Sequence, residues 1–178
     1  MITLIIGIPD CGKSALAEQL TVENSIKEER VYIATMIPYG EEGRQRVLKH
    51  RKLRAGKGFR TIECPGKLEE IGDELNDDGS HVCLLECLTN LCGNIMHMDK
   101  YINKTTEELC DIITEDIVGF SEKCKALYIV SNEFDASDSS YDDETVKYIR
   151  LVKKVNEALK SRADRCYIYE GGAIMTKS

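Results

Sequence analysis

Thr3-Leu4-Ile5-Ile6-Gly7-Ile8-Pro9-Asp10-Cys11-Gly12-Lys13-Ser14 opens the chain with an apolar run, a glycine turn and a closing Gly-Lys-Ser. Residues Gly7 to Ser14 match G-x-x-x-x-G-K-[ST], in the context that pattern requires: after a strand and at the start of a helix. The glycines let the backbone curl until successive N–H groups face phosphate oxygens, and the helix N-terminus adds its partial positive charge. Gly7, Ile8, Pro9, Asp10, Cys11 and Gly12 are therefore expected to cradle nucleotide phosphates, with Lys13 bridging the terminal ones and Ser14 binding Mg2+. The alternative is a glycine turn in which Gly-Lys-Ser is fortuitous.

Downstream, short apolar runs alternate with longer amphipathic segments. Thr3 to Ile6, Arg30 to Ala34, Arg60 to Glu63, His81 to Leu85, Ala126 to Val130 and Arg165 to Tyr169 read as strands. Gly12 to Asn24, Glu41 to Ala55, Pro65 to Leu75, Leu88 to His97, Thr105 to Lys123 and Asp143 to Arg162 read as helices. This β-then-α order predicts an α/β P-loop NTPase fold of the RecA-like kind, a mostly parallel sheet with helices on both faces. Asn76 to Ser80 reads as a polar turn, and Asn132 to Asp143, rich in Asp and Ser, as a mobile surface loop.

The chain has 178 residues, 42% hydrophobic and 31% charged. That suits one domain over 1–178 and excludes disordered, collagen-like and coiled-coil classes. A formal charge of -7 argues against general affinity for nucleic acid or anionic membrane. The first apolar run lacks a basic flank and is too short for a signal peptide or membrane span, so a cytoplasmic protein is expected. The eight cysteines then read as reduced thiols. Cys83, Cys87 and Cys92 with His81 superficially resemble a metal set, but their spacing favours packing along a strand and the following helix.

Two further features carry chemistry. His81-Val82-Cys83-Leu84-Leu85-Glu86 ends an apolar run in a carboxylate, which places Glu86 at the carboxyl edge of the sheet where a P-loop enzyme orients its magnesium shell. An ordinary strand-ending acid is the alternative. From Arg44 to Ile62 the sequence has eight Lys or Arg, one His and no acid, so the rest of the chain carries -15. Glu42, Arg46, His50 and Arg54 recur every four residues, along one helical stripe. Cationic neighbours disfavour imidazolium, leaving a nucleophilic ring. His50 is thus a candidate to attack a nucleotide α-phosphate and hold the nucleotide as a phosphoramidate, with the arginines stabilising the departing pyrophosphate. The alternative is a solvated basic face with an incidental histidine. His81 and His97 read as surface or boundary residues.

These motifs together resemble the bifunctional adenosylcobinamide kinase and adenosylcobinamide-phosphate guanylyltransferase family of cobalamin biosynthesis. The similarity spans nearly the whole chain. Val31-Tyr32-Ile33-Ala34-Thr35 is similar to the family's Y-I-A-T strand, Glu42 with Arg46-Val47-Leu48-Lys49-His50 to its E-M-x-x-R-I-x-x-H helix, and Phe59-Arg60-Thr61-Ile62-Glu63 to W-x-T-x-E. Leu85-Glu86-Cys87-Leu88-Thr89 with Asn94 is similar to D-C-L-T and its downstream Asn. Val130-Ser131-Asn132-Glu133, Val155-Asn156-Glu157 and Ala163-Asp164 are similar to V-S-N-E, V-N-Q and A-D.

The resemblance implies phosphorylation of the aminopropanol hydroxyl of adenosylcobinamide by GTP or ATP, then transfer of GMP from GTP through a guanylylated histidine matching His50. It implies catalytic roles for His50, Lys13 and Glu86, and nucleotide contacts at the P-loop, Ala34, Thr35, Met36, Arg51, Lys52, Leu53, Arg54, Glu63 and Glu86. It also implies a homotrimer and a corrinoid substrate. The sequence departs from the family at Phe134 to Ser139, where G-x-G-x-V-P is usual, and at Tyr148-Ile149-Arg150, where F-R-D is usual. Two other readings stay open: a P-loop kinase for another small molecule, and a nucleotide-binding protein that has lost one activity.

Overall fold

The computed structural model describes residues 1–75, 79–134, 141–170 and 173–177. Six strands follow the expected alternation: β1 (Ile2–Gly7), β2 (Glu29–Ala34), β3 (Phe59–Glu63), β4 (His81–Leu85), β5 (Ala126–Asn132) and β6 (Arg165–Glu170). The α-helices are α1 (Lys13–Glu23), α2 (Gly40–Arg54), α3 (Leu88–Met96), α4 (Thr106–Ser121) and α5 (Asp143–Lys160). A seventh strand, β7 (Ala173–Lys177), completes one sheet of order β3-β2-β4-β5-β1-β6-β7. All neighbours pair in parallel except β6 and β7. The sequence pair Gly171-Gly172 is a hairpin signal that the six-strand reading passes over.

Strand alternation divides the core in two. Leu4, Ile6, Val31, Ile33, Cys83 and Leu85 face one side, where α3, α4 and α5 bury Leu91, Ile113, Val152 and their neighbours. Ile5, Tyr32, Val82, Leu84 and Tyr128 face the other, beneath Ala17 and Leu16 of α1. Cys83, Cys92, Cys110 and Cys124 are core residues, and burial pushes the thiols of Cys87 and Cys92 upward, which keeps them protonated and suits packing rather than metal ligation.

Two expectations change. Pro65 to Leu75 forms a 3-10 helix, Leu68–Glu74, instead of an α-helix. The Asp116 carboxylate of α4 accepts the Leu68 and Glu69 N–H groups at 2.7 and 3.0 Å, and Lys123 closes on Gly72 from outside. His81 is not a surface or boundary residue: it opens β4, an interior strand, and is 1% exposed with Nε2 2.9 Å from Glu29. The flanking strands cover the beginning of β4 as fully as its middle. The residues 76–78 of the expected turn and 135–140 of the expected loop lie outside the described residues.

β1 lies between β5 and β6, so the loop after it emerges from the interior of the sheet's carboxyl edge. β2, β3 and β4 end on the same edge, to one side. That edge is where nucleotides bind in open α/β sheets.

Candidate functional site

The Gly7-to-Ser14 loop follows β1 and leads into α1. A Cβ at Gly7 would lie 2.8 Å from both Cys11 Sγ and Tyr169 Cβ, so only glycine lets the strand end this closely. Gly12 occupies the left-handed region (φ 96°), as does Asp10 (φ 58°), and these turns curl the loop. Gly12 is also the N-cap of α1 and contributes no capping side chain, leaving the first-turn N–H groups for an anion. Lys13 is 6% exposed and donates to Ile8 O at 2.8 Å, folded back across its own loop. Burial lowers its ammonium below the usual lysine range, against the raising influence of Cys11, Cys87 and Asp10. A bound phosphate would restore the charge that burial penalises. Ser14 is exposed at the start of the helix.

A second set converges beside it. The stretch after β2, residues 35–39, has no regular secondary structure, and α2 rises from its far end. His50, Arg51 and Arg54 of α2 line a cavity of about 300 Å³ together with Ala34, Met36, Glu63 and Glu86. His50 Nδ1 stands 3.8 Å from Glu86 Oε1, beyond hydrogen-bond length but within electrostatic reach. Burial pushes the Glu86 carboxyl up, opposed by His50, Arg54, the Tyr32 hydroxyl and the Thr35 backbone. Arg54 is 7% exposed and stacks its guanidinium 3.3 Å from the centroid of the Tyr32 ring. Its Nη1 is buried with no hydrogen-bond partner among the described residues. Arg51 donates to Glu63 at 3.1 Å on the rim.

The two centres are linked. Glu18 of α1 pairs with Lys57, just past α2, while the Lys57 carbonyl accepts from Arg30 at 2.6 Å.

A family model described as cobinamide kinase / cobinamide phosphate guanyltransferase matches residues 3–176. The chain belongs to that family. As a cobinamide kinase and guanylyltransferase it is an enzyme of two transfers. Among solved structures it is similar to the "ATPase Domain of G40P" (13% identity, TM-score 0.58, covering 98% of this chain and 79% of that one). At that identity the likeness shows the fold, a RecA-like P-loop NTPase. Comparison with curated proteins finds no match. Among the described residues, no helix is long and apolar enough to cross a membrane.

Most expected site residues of this kinase and guanylyltransferase gather at the two centres. Two do not reach the histidine cavity. Lys52 is exposed outside it. Thr35 is fully buried behind it, its hydroxyl donating to Cys87 O at 2.9 Å. The Leu53 side chain lies outside the described residues, as does that of Arg46.

The sequence reading misses Tyr32 as the ring that carries Arg54, and gives Asn132 and Asn156 no role. The structure supplies one. Ser131 donates to Asn156 Oδ1 at 2.7 Å, Asn156 donates to Asn132 O at 3.1 Å, and Asn132 donates to Thr89 Oγ1 at 3.0 Å. Asn132 pairs in register with Gly7. This chain of bonds fixes the end of β5 against the P-loop, and its signal is the pair of motifs Ser131-Asn132 and Val155-Asn156.

Proposed function

We propose that His50 carries the guanylyl group and that the Gly7-to-Ser14 loop holds the triphosphate of the phosphoryl donor. The carrying observation is convergence: His50, a half-buried Glu86 and Arg54 line one cavity, and the Arg54 Nη1 is buried with no hydrogen-bond partner among the described residues. An unpaired buried guanidinium nitrogen is costly unless an anion completes it.

His50 Nε2 attacks the α-phosphorus of GTP, forming a P–N bond. The bond from that phosphorus to its bridging oxygen breaks, and the electron pair leaves with pyrophosphate. The proton stays on Nδ1, where Glu86 faces the charged ring. Glu86, expected from its motif to orient magnesium, acts in this reading as the partner of the histidine. In the second half, an oxygen of cobinamide phosphate attacks the same phosphorus, and the P–N electron pair returns to Nε2. Arg54 and Arg51 bind the phosphate charge. In the kinase reaction the cobinamide hydroxyl oxygen attacks the γ-phosphorus, the bond to the β–γ bridging oxygen breaks toward the diphosphate, and the hydroxyl proton passes to water. Lys13 exchanges its Ile8 carbonyl partner for a phosphate oxygen.

Ser14 fits Mg2+, a hard ion usually held by one or two protein oxygens with phosphates and water. The ion would neutralise triphosphate charge. The exposed apolar Tyr39 and Leu48 support a homo-oligomer, in keeping with the trimer that the family resemblance implies. Residues 1–178 act as one domain, in the cytoplasm, on a corrinoid substrate.

GTP labelled at the α-phosphate, given without corrinoid, is expected to leave an acid-labile, base-stable label on the wild type and none on His50→Ala. Equal labelling of the variant refutes the assignment.

A further inference from the structure

A second cavity, of about 780 Å³, lies on the α3 and α5 side of the sheet edge, and no step above uses it. Its inner wall is Thr89 and Tyr148, whose hydroxyl donates to Thr89 O at 3.2 Å. Thr89 is the hydroxyl that receives Asn132, the residue paired with Gly7, so this wall adjoins the P-loop. Its outer wall is Ile37 and Pro65, with Met98 beside them.

The segment from Ala34 to Pro38 separates this cavity from the one containing His50. Its residues divide between the two sides. Ala34, Met36 and Pro38 line the histidine cavity, while Ile37 lines the larger one. The chain after β3 behaves similarly: Glu63 faces the first and Pro65 the second. Asn94 ties both partitions together, donating to Thr35 O at 2.8 Å and Pro65 O at 3.0 Å. The larger cavity thus borders both nucleotide centres, one through Thr89 and the other through a partition one residue thick.

We infer that this cavity is the acceptor site for both transfers, seating the corrinoid edge that bears the alcohol arm so that one bound molecule presents its hydroxyl at the P-loop and then its phosphate toward His50. The inference rests on the family's two activities and adds the place where their common substrate sits. The chemistry of the walls suits such a ligand. Ile37, Pro65, Met96 and Met98 give apolar surface for a macrocycle, and Asn90 gives a polar group for its amide rim, while both ring nitrogens of His97 are taken by Gly93 O and Glu144. The histidine cavity is less than half as large.

Gly93 lies on the cavity wall, and a Cβ there would meet Tyr148 at 3.4 Å, so a longer side chain must project into the space. Gly93→Leu and, separately, Thr145→Phe are to be measured in three assays: phosphorylation of cobinamide, transfer of GMP from labelled enzyme to cobinamide phosphate, and labelling by GTP alone. The expected result is a tenfold or greater rise in acceptor KM in both transfers, with labelling by GTP alone within twofold of wild type. Unchanged acceptor KM in either transfer, with both variants showing wild-type thermal unfolding, overturns the shared site. A wild type that takes no label from GTP defeats the His50 reading instead, and the phosphorylation assay still decides the cavity.

Discussion

Glu86 holds a carboxylate where solvation is poor, and its position beside His50 is what makes that tolerable. Its folded-state proton affinity is raised by burial, so ionised Glu86 weakens the fold. The contribution of this group to stability is fully present below the unfolded carboxylate value of about 4.3, and is lost as pH rises through the higher folded value. Glu86→Gln removes the ionisation. At pH 7.5 the variant is expected to unfold at the same temperature as wild type or higher, with the difference closing near pH 4, while labelling by GTP slows roughly a hundredfold. Thermal scans across pH, run beside the labelling rate, check both halves. A loss of stability at pH 7.5 would mean that the attraction of His50 and Arg54 outweighs desolvation.

Among the elements, β5 and α5 show how a helix remote from the nucleotide sets the P-loop. Asn156 is 5% exposed and satisfies both Ser131 and the Asn132 carbonyl. Asn156→Leu keeps similar bulk but strands a buried hydroxyl and a buried carbonyl. A loss of about 2 kcal/mol is expected, lowering the unfolding temperature by several degrees. Weaker nucleotide binding should accompany it, measured by titration with a fluorescent GTP analogue. The motif around Asn156 was visible in the sequence, but its role was not, because the hydrogen bonds join positions 25 residues apart. The strands and α-helices were legible for the opposite reason: Leu4 and Ile6 against Ile5, or Ile149, Val152 and Val155 along α5, repeat at the period of their own element. The 3-10 helix escaped because its geometry depends on Asp116, 48 residues beyond Leu68. For the site, Gly7 to Ser14 and His50 were readable as local patterns. The burial of Lys13, the approach of Glu86 to His50 and the stacking of Arg54 on Tyr32 are products of strand order and had no local signature.

At the scale of the molecule, charge is distributed unevenly: an acidic body carries a basic α2 and the loop beyond it. Part of that charge is paired, as Arg44 is with Glu41 and Arg51 with Glu63, while the buried Nη1 of Arg54 has no partner among the described residues. The two centres should therefore take up simple anions. Inorganic phosphate at ten times its Kd is expected to stabilise the wild type by about 1.4 kcal/mol for each site filled. Lys13→Ala and Arg54→Ala should each lose part of that gain, and the double variant most of it. Scanning calorimetry with matched chloride controls separates this binding from general screening.

The stretch between Ala34 and Pro38, whose residues divide between two cavities, also restricts what kinds of mutation the protein survives. Replacing Met36 alters only the histidine side, and replacing Ile37 only the other. Inserting or deleting one residue between Thr35 and Pro38 would invert the assignment, turning the side chains of each compartment into the other. Length is fixed there more strictly than identity, so the segment is expected to drift by substitution and to resist every change in residue count.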